Sequence, residues 1–370
     1  MILLIPGPVT TRAEVRAVMA RDFAPWDNDF RVISRRIRAR VREIAGAPEA
    51  THTALPLQGC GHFGTEAALR SVLPPGGRVL VPLTGTYADR MVRLAREAGR
   101  VPVPLVVDQN KPTPPAQIVA ALDADPTLSH VGVVYSETSS GVIHDAVAIG
   151  AAVRAIGRRV ILDAVSAFGA LPLNLAEQPE VDAAVFTTNK CLEGLPGLVF
   201  IIVRHAGLQP PGTAGSWSFD LSDLLVQTQR DGGGGFRFTP AAQVVASFDT
   251  ALDFYAAEGG QPVRLARYRE NARTIWQGMT DLGLRPCLNA ADQGPIVVNI
   301  EAPPDPAWSL QGFVDLLKGR GFTISNFFNT KEPSFRIGCI GDVSPQDMQC
   351  FVGNVDEVLI EMGVKIRRGN

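Results

Sequence analysis

The sequence predicts an α/β protein: a large domain built on a mostly parallel sheet, followed by a smaller C-terminal α/β domain. Three observations predict it. Between Thr51 and Val203, short apolar runs alternate with helix-length segments; such alternation gives a mostly parallel sheet covered on both faces. Several of these runs end in small polar residues, which places ligand contacts at the carboxyl ends of strands. After Ala206 the pattern changes, and beyond Glu258 long helices and short strands take over.

The elements follow in order. Ile2–Ile5 is a short strand or arm, closed by Pro-Gly-Pro. Thr10 or Thr11 is positioned to cap a helix from about Arg12 to Ala20. A second helix spans about Asp29 to Ala45, with Val32, Ile33, Ile37, Val41 and Ile44 on one face and six arginines on the other, a solvated or subunit-facing surface. Strands are expected at Thr53–Leu57, Arg78–Leu83, Val101–Val107, His130–Tyr135, Val160–Leu162, Ala183–Phe186 and Leu198–Val203. Helices fall between them at Phe63–Leu73, Tyr87–Ala98, Pro115–Asp123 and Ala146–Ile156. Asp231–Gly235 reads as a flexible glycine-rich loop. Gln243–Glu258 and Pro262–Leu282 are helical, and two more helices lie near Leu310–Gly319 and Pro345–Met362. The organisation is an N-terminal arm (1–13), a large domain (14–258) and a small domain (259–370).

Composition narrows the function. The 370 residues are 46% hydrophobic with a net charge of −2, enough for a large core and without the basic excess that binds nucleic acid. No apolar run reaches membrane-spanning length, and the opening apolar run, broken by Pro6, is too short for a secretion signal. The five cysteines form no C-x-x-C pair and the histidines show no ligand spacing, so a metal-free protein of a reducing, cytoplasmic compartment is expected.

Five places carry candidate chemistry. Lys190 is one of only five lysines and the only one between two strand-like apolar runs. Desolvation there lowers an amine's pKa and makes it a nucleophile; the bland reading is a lysine that snorkels to solvent. Gln58-Gly-Cys-Gly-His-Phe-Gly-Thr-Glu joins a strand to a helix and is either a phosphate cradle or a tight turn. Asp163 ends the run Val160-Ile-Leu and is either a cap or a carboxylate that holds a proton on a cofactor ring nitrogen. Ser136-Glu-Thr-Ser-Ser-Gly offers hydroxyls to a ligand or closes a turn. Arg336, between Phe335 and Ile337, binds an anion or makes a structural ion pair. Phosphate cradle, strand-end acid, desolvated lysine and small-domain arginine form the set that a pyridoxal phosphate enzyme needs.

Further stretches extend the pattern: Leu-Ile-Pro-Gly-Pro-Val-Thr-Thr (4–11), Trp26-Asp27, Val160–Gly169, Thr188-Asn-Lys-Cys-Leu-Glu-Gly-Leu-Pro-Gly, Arg237-Phe-Thr and Phe335-Arg-Ile-Gly-Cys-Ile-Gly. On these the chain resembles, over nearly its whole length, the class V branch of the aspartate-aminotransferase superfamily, fold type I. The resemblance implies pyridoxal 5'-phosphate as cofactor. It implies an aminotransferase that moves the amine of 2-aminoethylphosphonate to pyruvate, giving phosphonoacetaldehyde and alanine. Related chemistries are an alanine/serine–glyoxylate-type aminotransferase and a lyase acting on 1-hydroxy-2-aminoethylphosphonate. A catalytically silent binding protein on the same fold is opposed by the intact Lys190 and Asp163.

Roles carry over residue by residue. Lys190 would hold the cofactor covalently and Asp163 would pair with its ring nitrogen. Tyr87 would stack on one ring face and Val165 pack on the other. Gly61 and His62 would give backbone donors to the phosphate, with Asn189 nearby. Thr138 would bond near the ring hydroxyl, and Thr239 would reach a phosphate in the other subunit of a homodimer. Arg336 would bind the anionic end of the substrate. The N-terminal arm would tuck into the small domain or cross the dimer. Two departures stand out. Cys60 replaces a serine of the cradle, and Ala241-Ala242-Gln243 replaces Pro-Thr-His. The second is expected to remove a hydroxyl and an imidazole from the neighbourhood of Arg336 and so relax or change substrate choice.

Overall fold

A computed structural model describes residues 1–230 and 232–366. The chain opens with β1 (Ile2–Leu3), α1 (Ala13–Ala17) and α2 (Asn28–Ile44). The alternating region supplies β2 (His52–Gln58), α3 (Gly61–Val72), β3 (Arg78–Pro82), α4 (Thr86–Glu97), β4 (Val101–Leu105), α5 (Pro115–Ala124) and β5 (Leu128–Val134). A short ribbon of β6 (Ser136–Glu137) and β7 (Val142–Ile143) follows, then α6 (Ala146–Ala155), β8 (Arg159–Asp163), β9 (Val181–Thr187) and β10 (Leu198–Arg204). After α7 (Leu221–Arg230) and α8 (Ala242–Glu258) come α9 (Gln261–Asp281), β11 (Val297–Glu301), α10 (Leu310–Gly319), β12 (Phe322–Thr323), β13 (Ser334–Gly338) and α11 (Pro345–Glu361).

Seven strands form the central sheet in the order β2-β10-β9-β8-β5-β3-β4. Only β10 runs against its neighbours, antiparallel to both β9 and β2. The other six therefore point the same way, and the carboxyl ends of β2, β3, β5, β8 and β9 meet at one edge of the sheet. The outermost strands hold the sheet's internal prolines, Pro56 on β2 and Pro102 and Pro104 on β4, while Pro82 only ends β3. A residue without an N–H is tolerated at such positions and not in a central strand.

Alternate residues of each strand enter opposite layers, as a period of two requires. On β10, Phe200 and Ile202 join α2, α6 and α8, whereas Val199, Ile201 and Val203 join α3, α4 and α7. On β8, Val160 and Leu162 face the first layer and Ile161 the second, so Asp163 emerges on the side of α3 and α4. The first layer is centred on stacked rings: Phe168 and Phe186 at 3.8 Å, then Phe186 and Phe200 at 5.4 Å. A second core gathers α9, α10, α11, β11 and β13, and it includes Leu4 of the opening arm. The arm is tied there by the parallel pairing of β1 with β12 and by the Gly338 N–H donating to the Leu4 carbonyl at 2.8 Å.

Three expectations are corrected. Neither threonine caps α1: Arg12 leads that helix without a side-chain cap, and the Thr10 hydroxyl accepts instead from the Leu3 N–H at 2.8 Å. The arginine face of α2 is only partly solvated. Arg36 and Arg40 pair with Asp249 and Asp253 of α8, and Arg38 is buried and donates to the Gly235 carbonyl at 2.7 Å. Val32 lies exposed, because the helix turns Phe30, Ser34, Ile37 and Val41 inward. Of the glycine-rich stretch, Asp231 lies outside the described residues. Gly234 and Gly235 are packed on α2, where a Cβ on Gly234 would lie 2.6 Å from the Arg31 carbonyl. The helix α7 had no counterpart in the sequence reading.

Truncating Phe186 to alanine removes the middle ring of the stack. A loss of about 3–5 kcal/mol is expected, read as a lowered urea midpoint of the purified protein.

Candidate active site

Asp163 ends β8 with its side chain turned back on the chain. Its Oδ1 accepts from the Val165 N–H at 3.0 Å, an Asx-type turn that lifts the backbone off the sheet. The Thr65 hydroxyl of α3 bonds the same carboxylate. Burial raises its pKa to about 6, against the pull of the Val165 N–H, Lys190 and Thr65. Asp163 keeps some open surface, and that surface lines a cavity of about 200 Å³.

Lys190 reaches this cavity from the connection between β9 and β10. The Thr188 carbonyl accepts from the Gly194 N–H at 2.8 Å, and the Lys190 carbonyl from the Glu193 N–H at 2.9 Å. Gly194 has no room for a side chain: a Cβ would meet Phe248 and the Thr188 carbonyl at 3.0 Å. Burial lowers the Lys190 pKa to about 8, with nearby Arg336 acting in the same direction and Asp163 opposing. Its Nζ donates to the Pro6 carbonyl at 2.7 Å. The arm therefore crosses over the lysine, and Gly7 fits only as glycine, since a Cβ there would sit 2.5 Å from Lys190 Cδ.

The opposite wall is the start of α3. No side chain caps this helix, so its first N–H groups remain available, as at helix ends that bind anions. Cys60, Gly61 and His62 line the cavity there. A Cβ on Gly61 would fall 2.8 Å from Val165. Burial and the adjacent Arg90 lower the His62 pKa. Tyr87, in the first turn of α4, lies beneath Arg90, whose guanidinium is 5.0 Å from the ring centre. The start of α4 is secured by buried Glu137, which accepts from the Tyr87 N–H at 3.2 Å, and by Ser139, which accepts from the Thr86 N–H at 3.2 Å.

Of the residues singled out from the sequence, Lys190, Asp163, Gly61, His62, Tyr87, Val165 and Asn189 line this one cavity. Thr138 does not line it; it is fully buried beside β6 with its hydroxyl unpartnered. Thr239 is exposed, and its carbonyl accepts from the Gln58 amide. Arg336 is buried on β13, close enough to affect Lys190 and to be affected by Tyr87 and Arg90. Ala242 packs into the core under the large sheet, and neither it nor Ala241 or Gln243 lines the cavity. The expected link of this departure to Arg336 is thus not made within one chain. Sequence reasoning passed over Thr65, Glu137 and Arg90. Thr65 and Glu137 stood inside quoted motifs, and Thr65, four residues after Gly61, falls on the same face of α3.

A sequence model for class-V aminotransferases matches residues 14–303. The chain belongs to that family. It is 40% identical over 368 residues to 2-aminoethylphosphonate–pyruvate transaminase of Cupriavidus necator, covering 99% of this chain and 96% of that one. The transaminase of the same name from Burkholderia ambifaria is 39% identical, with 99% and 98% covered. Among solved structures, pyridoxamine–pyruvate aminotransferase from Mesorhizobium loti superposes with a TM-score of 0.87 at 25% identity, covering 100% of this chain and 94% of that one. Aspartate aminotransferase from Thermus thermophilus gives 0.85 at 25% identity, with 98% and 100% covered.

The protein is thus a pyridoxal phosphate-dependent aminotransferase, and the cavity fits that cofactor. An uncapped helix start suits the phosphate, and the apolar Val165 and aromatic Tyr87 lining the same cavity suit a flat ring. Asp163, whose charge burial penalises, suits a cationic ring nitrogen. Lys190 ionises near pH 8 rather than at the ordinary 10.5, so it is protonated below that pH and a neutral nucleophile above it. In cofactor-free protein, the rate at which Lys190 reacts with trinitrobenzenesulfonate is expected to rise with pH and level off above about 8. Stopped-flow absorbance measures it; a rate still climbing steeply at pH 10 would contradict the shift.

Proposed function

We propose that this aminotransferase moves the amine of 2-aminoethylphosphonate to pyruvate. The observation that carries the reading is Arg336. It is 5% exposed, and among the described residues no carboxylate pairs with it. Its Nε donates to the Ser325 hydroxyl at 3.1 Å. With the Asn329 amide turned to satisfy both its ends, that oxygen accepts from Nη1 at 3.1 Å. A guanidinium has five N–H donors, so three are left at the Nη end. Burial lowers the Arg336 pKa, the mark of a charge with little compensation. An anionic substrate group supplies that compensation, and a phosphonate offers more oxygens to the fork than a carboxylate. The transaminases to which the chain is about 40% identical over nearly its whole length favour the phosphonate.

Pyridoxal phosphate, when bound, supplies a carbonyl carbon that accepts the amine and a ring that spreads negative charge. Lys190 would hold it covalently, Asp163 would keep a proton on its ring nitrogen, and Tyr87 and Val165 would flank the ring. Gly61, His62 and Asn189 would hold the phosphate, and the unpartnered Thr138 hydroxyl would meet the ring hydroxyl. Arg336 anchors the phosphonate, leaving the amine-bearing carbon to face Lys190. Once displaced, Lys190 Nζ takes the proton from that carbon as general base. It would return that proton to the cofactor carbon from which it was displaced, and in the second half take a proton from there and give it to the keto carbon of pyruvate. The Pro6 carbonyl is an acceptor for the free amine between those steps.

The deciding assay offers 2-aminoethylphosphonate and its 1-hydroxy derivative separately, each with and without pyruvate. Alanine is expected from the first compound only with pyruvate. Both Lys190→Arg and Asp163→Asn should lose at least about a thousandfold in turnover. Ammonia released from the hydroxylated compound without pyruvate would replace this reading with elimination.

The active form proposed is a homodimer in which Thr239 of one subunit reaches the phosphate of the other. Supporting this, Thr239 is exposed and does not line its own cavity, and it adjoins Phe238, which packs on Trp217; the two rings are 43% and 63% exposed. Apolar surface of this kind marks an interface. Lys190→Ala and Thr239→Glu subunits, each inactive alone, should regain activity when mixed, because one shared site is then whole. Persistent inactivity of the mixture would rule the shared site out.

A further inference from the structure

Glu193 follows Lys190 by three residues and is the one non-glycine residue with a left-handed backbone among the described residues, at φ 55°. A side chain is disfavoured there and glycine would take the conformation freely. The carboxylate is nevertheless present, buried and held through one oxygen by three side chains of α9. Its Oε1 accepts from the Tyr268 hydroxyl at 2.7 Å and from Arg267 at 2.7 Å, with Arg264 at 3.3 Å. Arg264 also donates to the Cys191 carbonyl at 2.6 Å. The turn that carries Lys190 is thus fastened to α9 at two points.

The same α9 residues grip the segment that follows β13. Arg267 donates to the Gly341 carbonyl at 2.6 Å and the Val343 carbonyl at 2.9 Å. The Tyr268 hydroxyl accepts from the Gly341 N–H at 3.2 Å, and Asn271 donates to the Cys339 carbonyl at 3.0 Å. Cys339 is three residues beyond Arg336. An unbroken set of bonds therefore runs from the lysine turn through Glu193 and α9 to the strand of Arg336.

We propose that Glu193 is a positioning residue that fixes the separation between Lys190 and Arg336, so that a substrate anchored by its anion presents its amine-bearing carbon to the lysine. This rests on the aminotransferase reading above for what those two residues do. A buried charge cluster is a weak source of net stability because desolvation offsets its attraction, but it tolerates little displacement. Reactions of positioned groups are sensitive to displacement: a shift of about 1 Å can cost about a hundredfold.

Glu193→Gly keeps the turn backbone and removes the carboxylate link, leaving only the bonds from α9 to the Cys191 carbonyl. In cofactor-loaded enzyme, kcat per loaded site is expected to fall tenfold or more. The primary deuterium isotope effect at the amine-bearing carbon should rise, and the inhibition constant of methylphosphonate, which needs Arg336 alone, should stay within about twofold. Glu193→Gln, which still accepts from Tyr268, should keep kcat within about threefold of the parent. A fall of less than tenfold in Glu193→Gly overturns the proposal, whatever happens to Tm. If that variant does not fold, Tyr268→Phe is held to the same criterion. If the parent enzyme transfers no amine, the proposed function fails instead. The positioning role is then judged by cofactor uptake at Lys190 in the same variants: a tenfold slowing supports it and an unchanged rate overturns it.

Discussion

The turn from Thr188 to Gly194 has to keep an amine out of water while reversing the chain between two buried strands. Both tasks compete for the same few atoms. The backbone groups are consumed by the reversal, through Thr188, Lys190 and Gly194, so the amine must find its partners elsewhere. It finds the Pro6 carbonyl above, with Asp163 lining the same cavity but not paired to it. The packed rings of Phe186, Phe200 and Phe248 beneath make the platform stiff, as close packing of large side chains generally does.

Opposed burial effects shape the chemistry. Lowering the amine's pKa and raising that of the carboxylate both follow from one cause, the scarcity of water around Lys190 and Asp163. Had the two groups been placed in direct contact, each would have restored the other's charge. Asp163 instead takes its bonds from a backbone N–H and the Thr65 hydroxyl, which leaves it short of positive charge. The arrangement favours a cationic ligand group at the carboxylate and a neutral amine at the lysine.

Much of this was legible in the sequence because it rests on local order. Strand–helix alternation gave the sheet, and residues directly after apolar runs gave Asp163, Lys190 and the turn at Gly61. Illegible features are those made by pairing distant segments. The arginines of α2 look like a wet surface until Asp249 and Asp253 are brought against them. Glu193 looks like a turn residue until α9 covers it. Arg336 reads equally as an anion site or an ion pair, and only the absence of a carboxylate beside it among the described residues separates the two. Ala241-Ala242-Gln243 does not meet Arg336 within one chain for the same reason: motif order along the chain does not state which face of α8 it occupies.

The prolines on β2 and β4 bear on how the molecule meets others of its kind. An open sheet can grow by adding a strand at either border, the route by which many folded proteins polymerise. Here one border carries Pro56 and the other carries Pro102 and Pro104. Neither border can offer an uninterrupted row of donors to an incoming strand. Association between copies is thereby steered toward side-chain surfaces, where shape sets a stopping point, and away from backbone templating, which has none.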